Sequence, residues 1–367
     1  MGGDLFDREI VLSNDIRLLY IAQKISSTVL CAFYHIVMSK WVFDIVSGYV
    51  VQFLTRIDHI AGKNARCRTE NKEESVMSKN HAQDLRRILA ENKFLTLPGV
   101  YDCLSGKIAE EAGFPALFLS GGALAYSVLG RPDFGFLSLA EFGTAIQHIV
   151  STCSAPLLAD ADNGFGNAIQ AANTGAMYEQ LGAAGLQIDD KVLPASHPAR
   201  DEIINWDLMS PKIQAVRDNV SPDFVIVFRT CANLYGYGID EAIRRINLSK
   251  ECGADYAYVD GIKSMEELEK VSQQAAIPLM VNLNEKGFVG GNVPIEQVKE
   301  LNFSIGLFPI SSMLAASQGM IEVLGALADQ GSTLSVRDKM TDPPTRIHRM
   351  MGQVSLVEKY TPYYSVP

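Results

Sequence analysis

The sequence predicts an α/β protein built as a (β/α)8 (TIM) barrel. From residue 81 onward, short and near-continuous apolar runs alternate with helix-like segments. Runs of this kind are typical of parallel strands that are covered on both faces. There are eight strands and eight intervening or trailing helices, which is the number in a (β/α)8 barrel. An open doubly wound sheet is the alternative, but the loop after the first strand, PGVYDCLSG, is not G-x-G-x-x-G, and no G-x-x-x-x-G-K-[ST] occurs.

Each predicted strand is a short apolar run bounded by helical segments. The predicted strands are 94–100, 116–120, 156–162, 185–190, 224–230, 256–261, 278–284 and 303–310. The predicted helices are 81–92, 101–113, 139–153, 167–183, 210–219, 239–252, 264–276, 294–301 and 312–330. A recurring pattern of helix end, glycine, strand and polar residue supports this assignment. Its glycines, Gly113, Gly182 and Gly253, are predicted to be left-handed helix caps.

Composition narrows the class of protein. The chain has 367 residues, is 47% hydrophobic, and carries 32 basic against 42 acidic side chains for a net charge of −10. This composition excludes a disordered or fibrous chain and argues against a nucleic-acid partner, because phosphate binding needs excess Lys and Arg. The six cysteines form no C-x-x-C pair, which indicates thiols in a reducing compartment. We therefore expect a cytoplasmic protein, with a mitochondrial or membrane-associated location left open.

The region before the barrel differs from the rest of the chain. Its apolar runs, 25–39 and 45–54, are each shorter than the roughly 18 residues that span a bilayer. We interpret this region as an N-terminal helical extension of uncertain fold, with membrane association as the less favoured alternative. The predicted organisation is an apolar extension over 1–60, a polar linker over 61–80, a catalytic barrel over 81–335 and a helical tail over 336–367.

Polar side chains fall where the predicted strands end. In a barrel these ends converge over the axis and carry the chemistry. The residues at these ends are Ser120, Gly121, Asp160, Asp162, Asp189, Asp190, Arg229, Asp260, Asn282, Asn284 and Glu285. Such acids could instead cap helices or pair with Arg and Lys. However, the two-residue period of a strand places Asp160 and Asp162 on one face, and crowded short carboxylates select Mg²⁺ or Mn²⁺ over zinc.

Seven segments together resemble one known family. In order they are LPGVYDCLSGKIAEEAGFPALFLSGGALA, LGRPDFG, LLADADNGFGN, LQIDD, VIVFRTCA, VNLNEKG and LFPISSMLAA. Their order and spacing over roughly residues 85–330 resemble the isocitrate lyase/phosphoenolpyruvate mutase superfamily, in the branch of the 2-methylisocitrate lyases and oxaloacetate decarboxylases. The resemblance implies a Mg²⁺-bound α-oxocarboxylate or its enolate. It also implies a homotetramer in which the eighth helix is exchanged between subunits.

The resemblance further implies a metal site. Asp160 would bind Mg²⁺ directly, and Asp162 and Asp189 would hold its water ligands. Asp133, in L-G-R-P-D, would orient the same shell.

The resemblance also implies a substrate site. Ser120, Gly121 and Gly122 would bind a substrate carboxylate, and Arg229 would stabilise the enolate oxygen. Asn282 and Glu285 are further candidate substrate-binding residues.

The segment after the fourth strand departs from the family pattern. The carbon–carbon lyases carry K-[KR]-C-G-H there, and its Cys protonates the departing enolate. Here the segment 191–200 reads KVLPASHPAR and has no cysteine. His197 or Ser196 is the candidate replacement acid, with an exposed loop histidine as the alternative. Asp189 and Asp260 also stand where Glu is usual, which shortens each side chain by one methylene.

Three hypotheses about function follow. The first is a Mg²⁺-dependent carbon–carbon lyase or decarboxylase that acts on a small oxo- or hydroxy-dicarboxylate through an enolate of a pyruvate-like product. The second is a phosphonopyruvate-type mutase or hydrolase, which the composition of segment 191–200 makes less favoured. The third is a barrel that binds metal and ligand but has lost turnover.

Overall fold

Eight parallel strands close into a barrel in the computed structural model, which describes residues 80–193, 202–341 and 346–364. Each strand pairs with the next along the chain, and the last pairs with the first, so the predicted (β/α)8 fold is confirmed. The strands are β1 Leu95–Val100, β2 Leu117–Leu119, β3 Leu157–Asp160, β4 Gly185–Asp189, β5 Val225–Thr230, β6 Tyr256–Val259, β7 Leu279–Asn282 and β8 Phe303–Phe308. The predicted extension 1–60, Ser196 and His197 lie outside the described residues.

Helices lie between the strands along the chain. They are α1 His81–Glu91, α2 Cys103–Glu111, α3 Gly121–Leu124, α4 Leu139–Thr152, α5 Ala168–Gln180, α6 Trp206–Asp218, α7 Ile239–Glu251, α8 Met265–Gln274, α9 Phe288–Asn292, α10 Ile295–Glu300, α11 Ser311–Gln330, α12 His348–Met350 and α13 Gln353–Tyr364. The prediction missed α3, α9 and a π-helix at Ala125–Leu129. It also began α6 at residue 210, whereas the helix begins four residues earlier at Trp206 and is capped by Asn205.

Alternation along each strand divides side chains between the barrel interior and the helix layer. On β5, Val225 and Val227 belong to the cluster inside the barrel, whereas Ile226 and Phe228 belong to the cluster under the helices. The same alternation makes Arg229 the next interior residue on this strand. The strand period therefore carries a guanidinium to the carboxyl end of the barrel.

The predicted glycine caps are confirmed. Gly113, Gly182 and Gly253 have φ angles of +91°, +89° and +96°. After each glycine the next N–H donates back across the helix end, as in the 3.0 Å bond from Ala183 N–H to the Tyr178 carbonyl. This is the pattern of a Schellman cap, which turns the chain toward the following strand.

The helix after β8 buries none of its residues, unlike the long helices that lie between the strands. α11 has 20 residues, none of them buried. Its large apolar side chains Ile321 and Leu324 are 67% and 59% exposed. None of the described helices is both long enough and apolar enough to cross a bilayer.

Candidate active site

Two aspartates, one at the end of β3 and one just after it, lie close together inside the barrel. Asp160 and Asp162 are 6% and 3% exposed, and the Asp162 N–H donates to Asp160 Oδ1 at 3.1 Å. The strand ends at Asp160, and Asp162 has φ +44° in the turn beyond it. A left-handed turn, which Asp tolerates better than most residues, therefore brings the two acids together. The strand alternation that the sequence suggested does not reach Asp162.

The end of β4 adds a third acid and a buried cation. Asp189 is fully buried, and its Oδ1 accepts the backbone N–H of Lys191 at 3.1 Å. The Lys191 ammonium lies 3.0 Å from Asp189 Oδ2 and 3.8 Å from Asp162 Oδ1. Despite this proximity, Oδ2 receives no well-aligned hydrogen bond from the described residues. Lys191 was not among the candidate site residues, although its place two residues after Asp189 could have suggested it.

Arg229 on β5 closes the opposite side of the cluster. Its Nη1 lies 3.9 Å from Asp189 Oδ2, and its Nη2 pairs with Asp260 Oδ2. The guanidinium also lies over the ring of Tyr258, 5.3 Å from the ring centroid. Burial lowers the pKa of Arg229, but Asp260 and its other neighbours hold that pKa well above the usual value. The guanidinium Nε is buried and has no hydrogen-bond partner within the described segments.

The loop after β2 brings backbone close to two of the acids. The Gly121 N–H donates to Asp160 Oδ2 at 3.3 Å. A Cβ at Gly121 would stand 2.8 Å from that same oxygen, and a Cβ at Gly122 would stand 3.3 Å from Asp133 Oδ2. Side chains at these two positions would push the carboxylates away. Asp133 and the glycine pair therefore do lie next to the acid cluster, while Ser120 caps α3 through a 3.3 Å bond from Ala123 N–H.

The residues predicted on β7 are placed differently. Asn282 Oδ1 accepts the Asn284 N–H at 3.0 Å at the end of the strand. Glu285 is exposed and accepts a hydrogen bond from Ser311 at the start of α11. Within the described part of the chain, no hydrogen bond or ion pair joins Glu285 to the aspartates. The predicted substrate role of Glu285 stays a prediction.

Burying the aspartates in their charged form costs free energy, and this cost raises the pKa of two of them. Burial raises the pKa of Asp160 from its usual 3.8 to about 6; Asp189 and Asp133 also raise it, against the opposing effects of Lys191 and Arg229. Burial and the neighbouring Asp160 raise the pKa of Asp162 well above its usual value. Burial lowers the pKa of Lys191, yet Asp189 holds it well above its usual value. If all of these acids were ionised, the interior would carry more negative charge than Lys191 and Arg229 neutralise, and the raised pKa values of Asp160 and Asp162 reflect that cost.

The donor set fits a hard divalent cation, although not one held by three direct carboxylates. Within the part of the chain that the structure describes, no three His, Cys, Asp or Glu side chains form a direct ligand set. Asp189 Oδ2 is a buried oxygen that is paired with the Lys191 ammonium but receives no well-aligned hydrogen bond from the described residues, and Gly121 and Gly122 leave room for carboxylates. Mg²⁺ characteristically keeps several waters and uses one or two carboxylates. The residues are thus compatible with a hydrated Mg²⁺, whereas the expected division into Asp160 as a direct ligand and Asp162 and Asp189 acting through water stays a prediction.

Comparison with known proteins gives one consistent family. A profile described as phosphoenolpyruvate phosphomutase matches residues 85–326. The 2,3-dimethylmalate lyase of Eubacterium barkeri is 33% identical over 267 residues, which are 71% of this chain and 91% of that protein.

Two solved structures extend the comparison. An oxaloacetate acetylhydrolase in complex with 3,3-difluorooxalacetate has a TM-score of 0.70 and 29% identity, covering 77% of this chain and 97% of that one. A phosphonopyruvate hydrolase in complex with oxalate and Mg²⁺ has a TM-score of 0.70 and 26% identity, covering 78% and 99%. Named relatives thus include carbon–carbon lyases as well as enzymes of phosphonate chemistry.

Proposed function

The chain belongs to the phosphoenolpyruvate phosphomutase family of the isocitrate lyase/phosphoenolpyruvate mutase superfamily, and on that premise we propose a Mg²⁺-dependent lyase or decarboxylase. Its substrate is a small oxo- or hydroxy-dicarboxylate, and the reaction passes through a metal-stabilised enolate of a pyruvate-like product. One observation carries the proposal: buried acids face a buried guanidinium that has an unpartnered donor. Substrates of relatives point the same way, because they are named as dimethylmalate and oxaloacetate.

Arg229 supplies the positive charge for the enolate oxygen. Breaking a carbon–carbon bond beside a carbonyl leaves an electron pair that is stored on that oxygen. A donor held in advance, in a site without water, is commonly worth about 3 kcal/mol or more of transition-state stabilisation. Asp260 and Tyr258 fix the guanidinium and so leave its Nε–H available to a ligand. Arg229 binds the developing charge without having to reorganise.

The remaining residues hold the substrate and the cation. Asp160 would hold a hard cation, which would supply Lewis-acid stabilisation of the developing negative charge. The Gly121 N–H donates to Asp160, and Gly122 lies next to Asp133, so we assign the orientation of a substrate carboxylate to this turn. Lys191 offsets the charge of Asp162 and Asp189. Together these groups orient a dianion that the aspartates alone would repel.

Proton delivery separates the two reactions within this proposal. Decarboxylation of an oxaloacetate-like substrate requires no deprotonation of a hydroxyl, so it tolerates the absence of the family's cysteine. Retro-aldol cleavage of a 2-alkylmalate or methylisocitrate-like substrate requires an acid at the departing enolate. We assign that role to His197, with Ser196 as the alternative, because both lie in the segment where relatives carry the cysteine.

Phosphonate chemistry is the second candidate function. A phosphonopyruvate hydrolase has the same fold and is 26% identical in sequence. An enolate stabilised by Arg229 would serve that reaction equally well. The segment 191–200 lacks the K-x-[NT]-S pattern expected of that branch, so we place it second. A barrel that binds its ligand without turnover is the third reading.

A substrate panel separates these candidates. The full-length chain with Mg²⁺ is offered oxaloacetate, 2-methylisocitrate, 2,3-dimethylmalate and phosphonopyruvate, and pyruvate release is coupled to a reporter. We expect pyruvate or the matching oxoacid from one of the first three substrates, and no activity in chelator. Phosphate released from phosphonopyruvate would support the second candidate. No turnover with any substrate, combined with a Tm raised by oxalate, would support the binding-only barrel and contradict the proposal.

We also propose that the chain assembles by exchanging α11 between subunits, as the family resemblance implies. α11 buries none of its residues. An apolar cavity of about 700 Å³ lies between the first turns of α11 and α2, lined by Leu104, Ile108 and Ala316 among others. A second copy of the chain would cover both the exposed apolar side chains of α11 and the apolar cavity beside it. The tetramer is thus part of the proposal.

A further inference from the structure

A second cavity lies in the helix layer, outside the barrel. It has a volume of about 440 Å³ and lies between the loop after β3 and the first turns of α6. Ile169 and Leu208, at its rim, are 79% and 67% exposed. Most of the lining is apolar, and the polar groups are few. Pockets of this composition are typical of small-molecule sites.

Lys212 is the polar group that distinguishes this cavity. Its side chain lines the cavity and is 3% exposed. No hydrogen bond or ion pair joins its amine to any residue of the described segments. Burial lowers the pKa of Lys212 from its usual 10.5 to about 8, while the charge of Asp189 opposes that effect. A buried ammonium without a partner costs free energy unless an anion pairs with it.

Two helix starts increase the positive potential at the same place. Asn167 caps α5 and Asn205 caps α6, and each of these helices has 13 residues. The first turns of both helices border the cavity. The positive ends of their dipoles therefore add to the charge of Lys212. Asp207 is the acidic side chain on the described lining, and it is exposed to solvent.

We propose that this cavity binds a small organic carboxylate, with its carboxylate on the Lys212 amine and its hydrocarbon part against Ile169 and Leu208. The cavity lies near the aspartate cluster but shares no acid with it, since none of Asp160, Asp162 and Asp189 is among its lining residues. The proposal does not rest on the proposed reaction. It concerns ligand binding to the protein without metal.

The test measures binding of acetate, butyrate and hexanoate to the full-length protein in EDTA by calorimetry. Affinity should rise from acetate to hexanoate, by about fourfold for each methylene that is buried. Lys212→Met, which keeps the length of the side chain, should lose binding by about tenfold or more. Hexanamide, which has no charge, should bind no better to the wild type than to that variant.

Two controls keep the result specific. Lys93→Met removes an exposed lysine between α1 and β1, away from the cavity, and should leave binding unchanged. Asp160→Ala should also retain binding, because the site does not use the metal cluster. In a second measurement, hexanoate should slow the acylation of Lys212 but not of Lys93, as followed by mass spectrometry.

Three results would overturn the proposal. The first is equal binding to the wild type and Lys212→Met. The second is an affinity that does not change with chain length. The third is acylation of Lys212 that hexanoate leaves unaltered. None of these results bears on turnover at the aspartate cluster, so failure here and failure of the proposed function remain separate outcomes.

Discussion

Asp160→Asn should stabilise the metal-free protein at neutral pH. The carboxyl has a usual pKa of 3.8 and a pKa of about 6 in the folded chain. Between these values the folded state holds a proton that the unfolded state has lost, so stability falls as pH rises through this window. The difference of about two pH units corresponds to about 3 kcal/mol of destabilisation above pH 6. Below about pH 4 the cost is absent.

Asparagine removes this cost but loses part of the hydrogen bonding. Its single oxygen can still accept the Asp162 N–H, but its amide would face the Gly121 N–H in place of Oδ2. One lost hydrogen bond costs about 1 kcal/mol. The net gain is about 2 kcal/mol at pH 7.5, which corresponds to a Tm increase of roughly 4–8 °C for a domain of this size.

The assay is thermal and urea unfolding of wild type and Asp160→Asn from pH 4 to 8, in EDTA and in Mg²⁺. In EDTA the variant should be the more stable protein above pH 6, whereas near pH 4, where the charge cost is absent, the lost hydrogen bond should leave it about 1 kcal/mol less stable than the wild type. In saturating Mg²⁺ only the wild type should gain stability. Asp102→Asn, at the N-cap of α2, is the matched control, because Asn caps as well as Asp. A variant that is less stable than wild type in EDTA at pH 7.5, or one that still gains from Mg²⁺, would refute the reasoning.

Three further changes test other parts of the structure. Arg229→Lys keeps the positive charge, but a lysine cannot both pair with Asp260 and present a second donor to the substrate. We therefore expect kcat/KM to fall about 100-fold or more. The control, Arg337→Lys, changes an exposed arginine and should leave kcat/KM unchanged. Asp190→Asn leaves the buried Arg245 short of a partner and should cost about 3 kcal/mol in urea unfolding, and an unchanged midpoint would contradict it. Leu324→Asp should convert the assembly to smaller species in light scattering behind size exclusion; an unchanged mass would count against exchange of α11.

Strand periodicity made much of the fold and part of the site predictable. Apolar runs located the eight strands, and the glycine pattern located three helix ends. Once a strand is placed, its alternation determines which of its last residues face the axis. Asp160, Asp189 and Arg229 were predictable for this reason.

The parts that the sequence missed depend on turns and on tertiary contacts. Asp162 reaches the cluster through a left-handed turn that no alternation describes. Lys191 is buried because two acids pair with it, and a sequence alone does not show that pairing. The π-helix after β2 and the earlier start of α6 likewise follow from local capping and packing. Glu285 looked equivalent to the other strand-end acids but bonds Ser311 instead.

The two neighbouring acids at the end of β4 have different surroundings: Asp190 is fully hydrogen-bonded within the protein, and Asp189 is not. Asp190 faces the helix layer, and its oxygens accept bonds from Thr230 Oγ1, Cys231 N–H and Arg245 Nη1 at 2.7–3.0 Å. Asp189 faces the axis and keeps one buried oxygen without a well-aligned donor. A carboxylate that is fully hydrogen-bonded has no capacity left for a ligand. The Lys191 ammonium lies 3.0 Å from that oxygen and Arg229 Nη1 lies 3.9 Å from it, so the oxygen is held by ion pairing and not by aligned hydrogen bonds. Because the two side chains differ by one position along the chain, their opposite environments follow from the strand period, and Asp189 is the one that we propose for ligand binding.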